Sequence, residues 1–117
     1  MNEQGKEAEK AALQWLISKK LTLITCNYSC RFGEIDLIML EQDTLVFIEV
    51  RLRAHSRFGG AALSVTNSKQ QKIITTANHF LMCHSKYTLY KCRFDVLAFE
   101  SNTAKISPVW YKDAFRL

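Results

Sequence analysis

Asp36 and Glu49 stand with twelve residues between them in the stretch GEIDLIMLEQDTLVFIEVRLR, from Gly33 to Arg53. Two apolar runs, Ile35 to Leu40 and Leu45 to Val50, flank the polar centre Glu41-Gln42-Asp43-Thr44, which is the pattern of a β-hairpin. With Gln42 and Asp43 as a two-residue loop, antiparallel pairing sets Asp36 opposite Glu49 and Glu34 opposite Arg51, all four on one face. Along the second strand Val46, Ile48, Val50 and Leu52 alternate with Phe47, Glu49, Arg51 and Arg53, so one face is apolar and the other carries charge. Facing carboxylates repel by a few tenths to about 1 kcal/mol when exposed, and burial makes this worse. A divalent cation between them removes the conflict, and carboxylate oxygens with open positions for water and phosphate suit Mg²⁺ or Mn²⁺. The same residues also fit a charge ladder in which Arg51 and Arg53 neutralise Glu34, Asp36 and Glu49.

Gly33-Glu34-Ile35-Asp36, twelve residues, then Glu49-Val50-Arg51 resembles the PD-(D/E)XK signature of restriction-endonuclease-like nucleases. With Arg57-Phe58-Gly59-Gly60-Ala61-Ala62 and Arg93-Phe94-Asp95-Val96 added, the chain is similar to the YraN-like bacterial family, itself similar to archaeal Holliday junction resolvases. The resemblance runs from Gly5 to about Phe115 and implies a restriction-endonuclease-like core with Mg²⁺ or Mn²⁺ held by Asp36 and Glu49. It also matches Ala8-Glu9 to a helix-one glutamate near the metal. One departure is Arg51, which stands where the nuclease signature has lysine.

The elements that must position these groups follow from periodicity. Ala8, Ala11, Ala12, Leu13, Trp15 and Leu16 recur at helical spacing and predict an amphipathic helix from Glu3 to about Ser18. Glu9 falls inside its apolar arc and therefore needs a cation or a donor, either an arginine of the sheet or the Asp36–Glu49 site. Leu21 to Asn27 reads as a first strand and Asn27 to Gly33 as its turn, with Tyr28, Arg31 and Phe32 in that connection. Arg53 to Ala62 is basic and glycine-containing, so Arg53, His55 and Arg57 are candidate phosphate contacts on an irregular loop.

Thr66, Asn67 and Ser68 offer N-caps for a second helix with the apolar stripe Ile73, Ile74, Ala77, Phe80 and Leu81. Lys69 and Lys72 in its first turns oppose the helix dipole unless an anion lies nearby, which makes Lys69, Lys72 and Gln70 candidate contacts to substrate phosphate. Arg93 to Glu100 predicts a fourth strand and Ile106 to Trp110 a fifth, placed at an edge by Pro108. Asp95 is expected to pair with Arg93 or a backbone N–H rather than reach the metal face, and Trp110, Tyr111 and Phe115 to cover the sheet or form a partner surface. The fold expectation is an α/β domain over residues 1–117: a central five-stranded mixed sheet, antiparallel meander plus crossover, flanked by helices.

The 117 residues, 48% of them hydrophobic, 23% charged and only one proline, suit one globular domain rather than a disordered chain. A net charge of +5 favours an anionic partner such as nucleic acid. No basic region followed by an apolar core opens the chain and no apolar run spans a membrane, so the expected location is cytoplasmic. Four cysteines fit reduced thiols, and their spacing matches no zinc knuckle. The leading expectation is a Mg²⁺- or Mn²⁺-dependent endonuclease on branched or structured DNA, using Asp36 and Glu49 helped by Glu9, with Arg51 as an electrostatic group because guanidinium cannot act as a base. The alternatives are a catalytically silent nucleic-acid-binding module and an interaction domain without nucleic acid. The sequence leaves a homodimer open.

Overall fold

The computed structural model describes residues 3–53, 65–100 and 108–116. Helix α1, Glu3–Ser18, leads into strands β1, Thr22–Cys30, β2, Gly33–Glu41, and β3, Thr44–Arg53. Helix α2, Asn67–Cys83, then precedes β4, Lys91–Glu100, and β5, Val109–Phe115. The sheet has the order β1-β2-β3-β4-β5, with β3 and β4 parallel and the other neighbours antiparallel. This is the expected α/β architecture: a meander, one crossover containing α2, and a returning edge strand.

Each helix buries its stripe on one face. Ala12 and Leu16 of α1 pack with Leu37, Met39, Val46, Ile48 and Leu97. Ile73, Ile74, Ala77 and Phe80 of α2 pack with Ile38, Leu45, Phe47 and Val96 on the other. The predicted charged face of β3 is therefore not a solvent face. Leu45 through Glu49 are all buried, because the parallel pairing to β4 makes β3 a central strand covered on both sides.

Three boundaries differ from expectation. β1 continues past Asn27 to Cys30, so Tyr28 lies in the strand, packs edge-on against Phe80 at 5.2 Å and hydrogen-bonds His79 Nδ1 at 2.6 Å. Pairing with β2 overrides the turn preference of Asn and Ser there. β4 starts at Lys91, and β5 runs over Val109–Phe115, after Pro108 rather than across it, since proline lacks the ladder donor.

Asp95 in β4 is fully buried and accepts from Arg93 Nε at 3.0 Å, Trp110 Nε1 at 2.8 Å and the Asp113 backbone N–H at 2.8 Å. Arg93 also pairs with Glu41 at 2.7 Å, tying β2, β4 and β5 together. Trp110 meets Trp15 edge-on at 5.7 Å, so it covers the sheet under α1. Cys26, Cys30, Cys83 and Cys92 are all free thiols.

Candidate metal and phosphate site

The two-residue turn at Gln42 and Asp43 sets the β2–β3 register as expected. Its ladder runs from Glu41 opposite Thr44 to Leu37 opposite Ile48, and one further step brings Asp36 to Glu49. The ladder ends there, so the expected Glu34–Arg51 pair is not part of it. The Val50 N–H donates to Asp36 Oδ2 at 2.8 Å, a side chain taking the place of a strand carbonyl.

The alternation of both neighbouring strands is broken at this point. Tyr28 and Ile35 are paired and pack toward α2, whereas Cys26 and Leu37, also paired, lie on the α1 side. Asn27 between them has φ 53, a left-handed conformation that asparagine tolerates better than most residues. Strict alternation, which puts Glu34, Asp36, Glu49 and Arg51 on one face, thus misses the local twist that opens Asp36 toward α1 as well. Glu9 of α1 lies beside Asn27 and Asp36, close enough to interact with both. Asn27 is the site residue that sequence reasoning overlooked, although an asparagine inside an otherwise β-prone run was the available signal.

The electrostatics are those of a crowded carboxylate group. Burial first, then the Glu49 charge and a hydrogen bond to its carboxyl, push Asp36 up to about 7 against the helping Val50 N–H. Burial and the charge of Asp36 also raise Glu9. Glu49, only 5% exposed, carries two ion pairs on the same oxygen: Lys69 Nζ lies 3.1 Å from Oε2 and Arg51 Nη1 3.8 Å. Glu49 is therefore one anion near the start of α2, and it partners Lys69.

Thr66 caps that helix, its hydroxyl accepting from the Lys69 N–H at 3.2 Å. Gln70 Nε2 donates to the Val65 carbonyl at 2.9 Å, so it braces the first turn, and Lys72 is exposed. Gly33, at φ 154, lets the start of β2 approach α2, where an added Cβ would lie 3.1 Å from Thr76 Oγ1. A cavity of about 320 Å³ adjoins Glu9, lined by Lys6, Lys10, Leu13, Cys26, Asn27 and Leu37. Arg57 and His55 lie outside the described residues, as does the side chain of Arg53.

Asp36, Glu49, Glu9, Arg51 and Lys69 are thus brought together by four elements. Two neighbouring carboxyls, Asp36 raised by burial and then by the charge of Glu49, form an oxygen donor set that could hold a hard divalent cation, with Lys69 and Arg51 compensating Glu49 in its absence. Among the described residues no group of three or more His, Cys, Asp and Glu side chains is disposed to hold a metal ion by itself. Asp36 and Glu49 are the two that fit. No helix among the described residues is long and apolar enough to cross a membrane.

Known proteins extend over nearly all of this chain. It is 52% identical over 115 residues to a UPF0102 protein of Psychromonas ingrahamii, covering 98% of this chain and 91% of that one. A UPF0102 protein of Saccharophagus degradans is 52% identical over 116 residues, 99% of this chain and 95% of that one. A third, from Nitrosomonas europaea, is 48% identical over 112 residues, 96% and 92% of the two chains. The family described as "Uncharacterised protein family UPF0102" matches residues 8–99, a span that includes Glu9, Asp36, Glu49, Arg51 and Lys69, and the chain belongs to that family.

Proposed function

We propose that this protein is a divalent-metal-dependent endonuclease of the restriction-endonuclease-like kind, hydrolysing phosphodiesters in branched or otherwise structured DNA in the cytoplasm. The observation that carries it is the Asp36–Glu49 pair, two contacting carboxyls on adjacent strands with Asp36 raised to about 7. Adjoining carboxyls are expensive to bury even when one of them is ion-paired, and strongly perturbed carboxyls cluster at functional sites.

Asp36 and Glu49 would hold Mg²⁺ or Mn²⁺. When bound, such an ion lowers the pKa of a coordinated water and offsets charge on a phosphate. The Val50 N–H fixes one oxygen of Asp36, and Glu9, beside Asn27 and Asp36, borders the other side of the site. Arg51 beside Glu49 adds fixed positive charge for a phosphate without taking or giving a proton. Lys69 and Lys72 at the open end of α2, with the net charge of +5, favour an extended anionic substrate. Arg53 and Arg57 of the adjoining loop are proposed to extend the same contact.

A second reading, a nucleic-acid-binding module without catalysis, is favoured by one specific observation: Lys69 and Arg51 already supply positive charge to Glu49. The two separate in a cleavage assay on linear, flapped and four-way DNA with Mg²⁺ or Mn²⁺. Nuclease activity predicts products that vanish in Asp36→Asn and Glu49→Gln while DNA binding persists. A wild type that binds these DNAs and cuts none of them with either metal supports the silent module.

A further inference from the structure

The ammonium of Lys69 lies between a buried carboxylate and open solvent. On the inside stands Glu49, buried, with its Oε2 3.1 Å from Nζ. On the outside is solvent, since the Lys69 side chain is 43% exposed and the capped first turn of α2 holds only its backbone. Arg51 meets the same Oε2 from a longer 3.8 Å. Among the described residues Lys69 is thus the closer of two cations compensating Glu49, on a flexible four-carbon stem that swings about a fixed Cα.

We propose that Lys69 is a hand-over cation: it neutralises Glu49 in the free protein and passes to a phosphate of bound nucleic acid when a divalent ion takes up the charge of Glu49. This rests on the nucleic-acid reading above. The physical basis is competition. A cation at the carboxyl pair and the Lys69 ammonium repel one another and draw on the same negative charge, so binding of the first weakens the hold of Glu49 on the second. Released lysine is then available for phosphate. By thermodynamic reciprocity, metal strengthens DNA binding by the same factor that DNA strengthens metal binding, and Lys69 carries that coupling. The consequence is a site that engages phosphate firmly only when it is loaded.

The first test needs no metal. With EDTA present, Glu49→Gln removes the charge that retains Lys69 while keeping the shape of the side chain. DNA affinity is then measured by anisotropy over a range of salt concentrations for wild type, Glu49→Gln, Lys69→Met and the double variant. Each protein is checked for native circular dichroism. A freed lysine adds about one phosphate contact, so Glu49→Gln is expected to steepen the slope of log K against log salt by about one. In the Lys69→Met background the same change is expected to leave the slope unaltered. Equal steepening in both backgrounds, or none in either, overturns the hand-over.

The second test titrates Mn²⁺ by calorimetry into wild type and Lys69→Met without DNA. Loss of the competing ammonium is expected to tighten Mn²⁺ by at least about fivefold, the lower end of ordinary coupling between sites. Unchanged or weaker Mn²⁺ binding in Lys69→Met overturns the proposal, because Lys69 then orients Glu49 rather than competing for it. If neither protein binds Mn²⁺, the divalent-ion step of the hand-over fails together with the metal reading. The salt slopes then decide whether Glu49 alone still restrains Lys69, and so tell the two failures apart.

Discussion

Replacing Asp36 with asparagine should stabilise the protein at neutral and alkaline pH, and by an amount that depends on pH in a defined way. Asp36 is raised from its ordinary 3.8 to about 7 by burial and by Glu49. Below pH 3.8 it is protonated in both folded and unfolded chains, and the perturbation has no effect. As pH rises the unfolded chain ionises first, so the folded state is progressively penalised, and the penalty is complete once pH exceeds the folded value. A rise of this size corresponds to roughly 4 kcal/mol at pH 8 and above, with less than half of it already present at pH 5. Asparagine cannot ionise, still accepts from the Val50 N–H through its amide oxygen, and offers Glu49 a donor. The stability difference between Asp36→Asn and wild type should therefore widen by about 2–3 kcal/mol from pH 5 to pH 8, or roughly 10 °C in midpoint for a domain of this size. Urea unfolding followed by circular dichroism in EDTA, at both pH values, measures it. A difference that stays constant, or narrows, would falsify the claim that the folded protein holds Asp36 well above the ordinary carboxylate range. Saturating Mn²⁺ at pH 8 should then stabilise wild type much more than Asp36→Asn.

Arg51 is expected to tolerate lysine: Arg51→Lys should keep or increase cleavage of structured DNA, since the charge beside Glu49 remains, whereas an inert Arg51→Lys alongside an active wild type would show that the guanidinium itself is required. Asp95→Ala should cost about 3–5 kcal/mol in urea unfolding, because it leaves Arg93, the Trp110 indole and the Asp113 N–H without their shared acceptor; a loss below 1 kcal/mol would mean the network relaxes onto Glu41 or water. Gly33→Ala meets both a φ of 154 and the Thr76 hydroxyl, so a loss of about 1–3 kcal/mol is expected, and an unchanged midpoint would show that the β1–β2 turn shifts freely.

Local chemistry made the hairpin legible from sequence alone. Two apolar runs around Gln42 and Asp43 admit one turn, and the turn fixes a register that delivers Asp36 to Glu49. Helical periodicity gave both helices their faces, with α1 running from Glu3 to Ser18 as expected, and Thr66 was recognisable as a cap. Those features depend on neighbours in the chain. The ends of β1 at Cys30 and of β5 at Phe115 did not follow from sequence, because pairing partners far along the chain decide where a strand stops. Tertiary structure alone decided that the charged face of β3 lies under α2, that Asn27 twists to open Asp36 toward Glu9, and that among the described residues the cation nearest Glu49 is Lys69, twenty positions away, rather than Arg51, two away. The reason is physical: burial and Coulomb attraction act through space, and only the packing of α2 against the sheet sets the distance between Lys69 and Glu49.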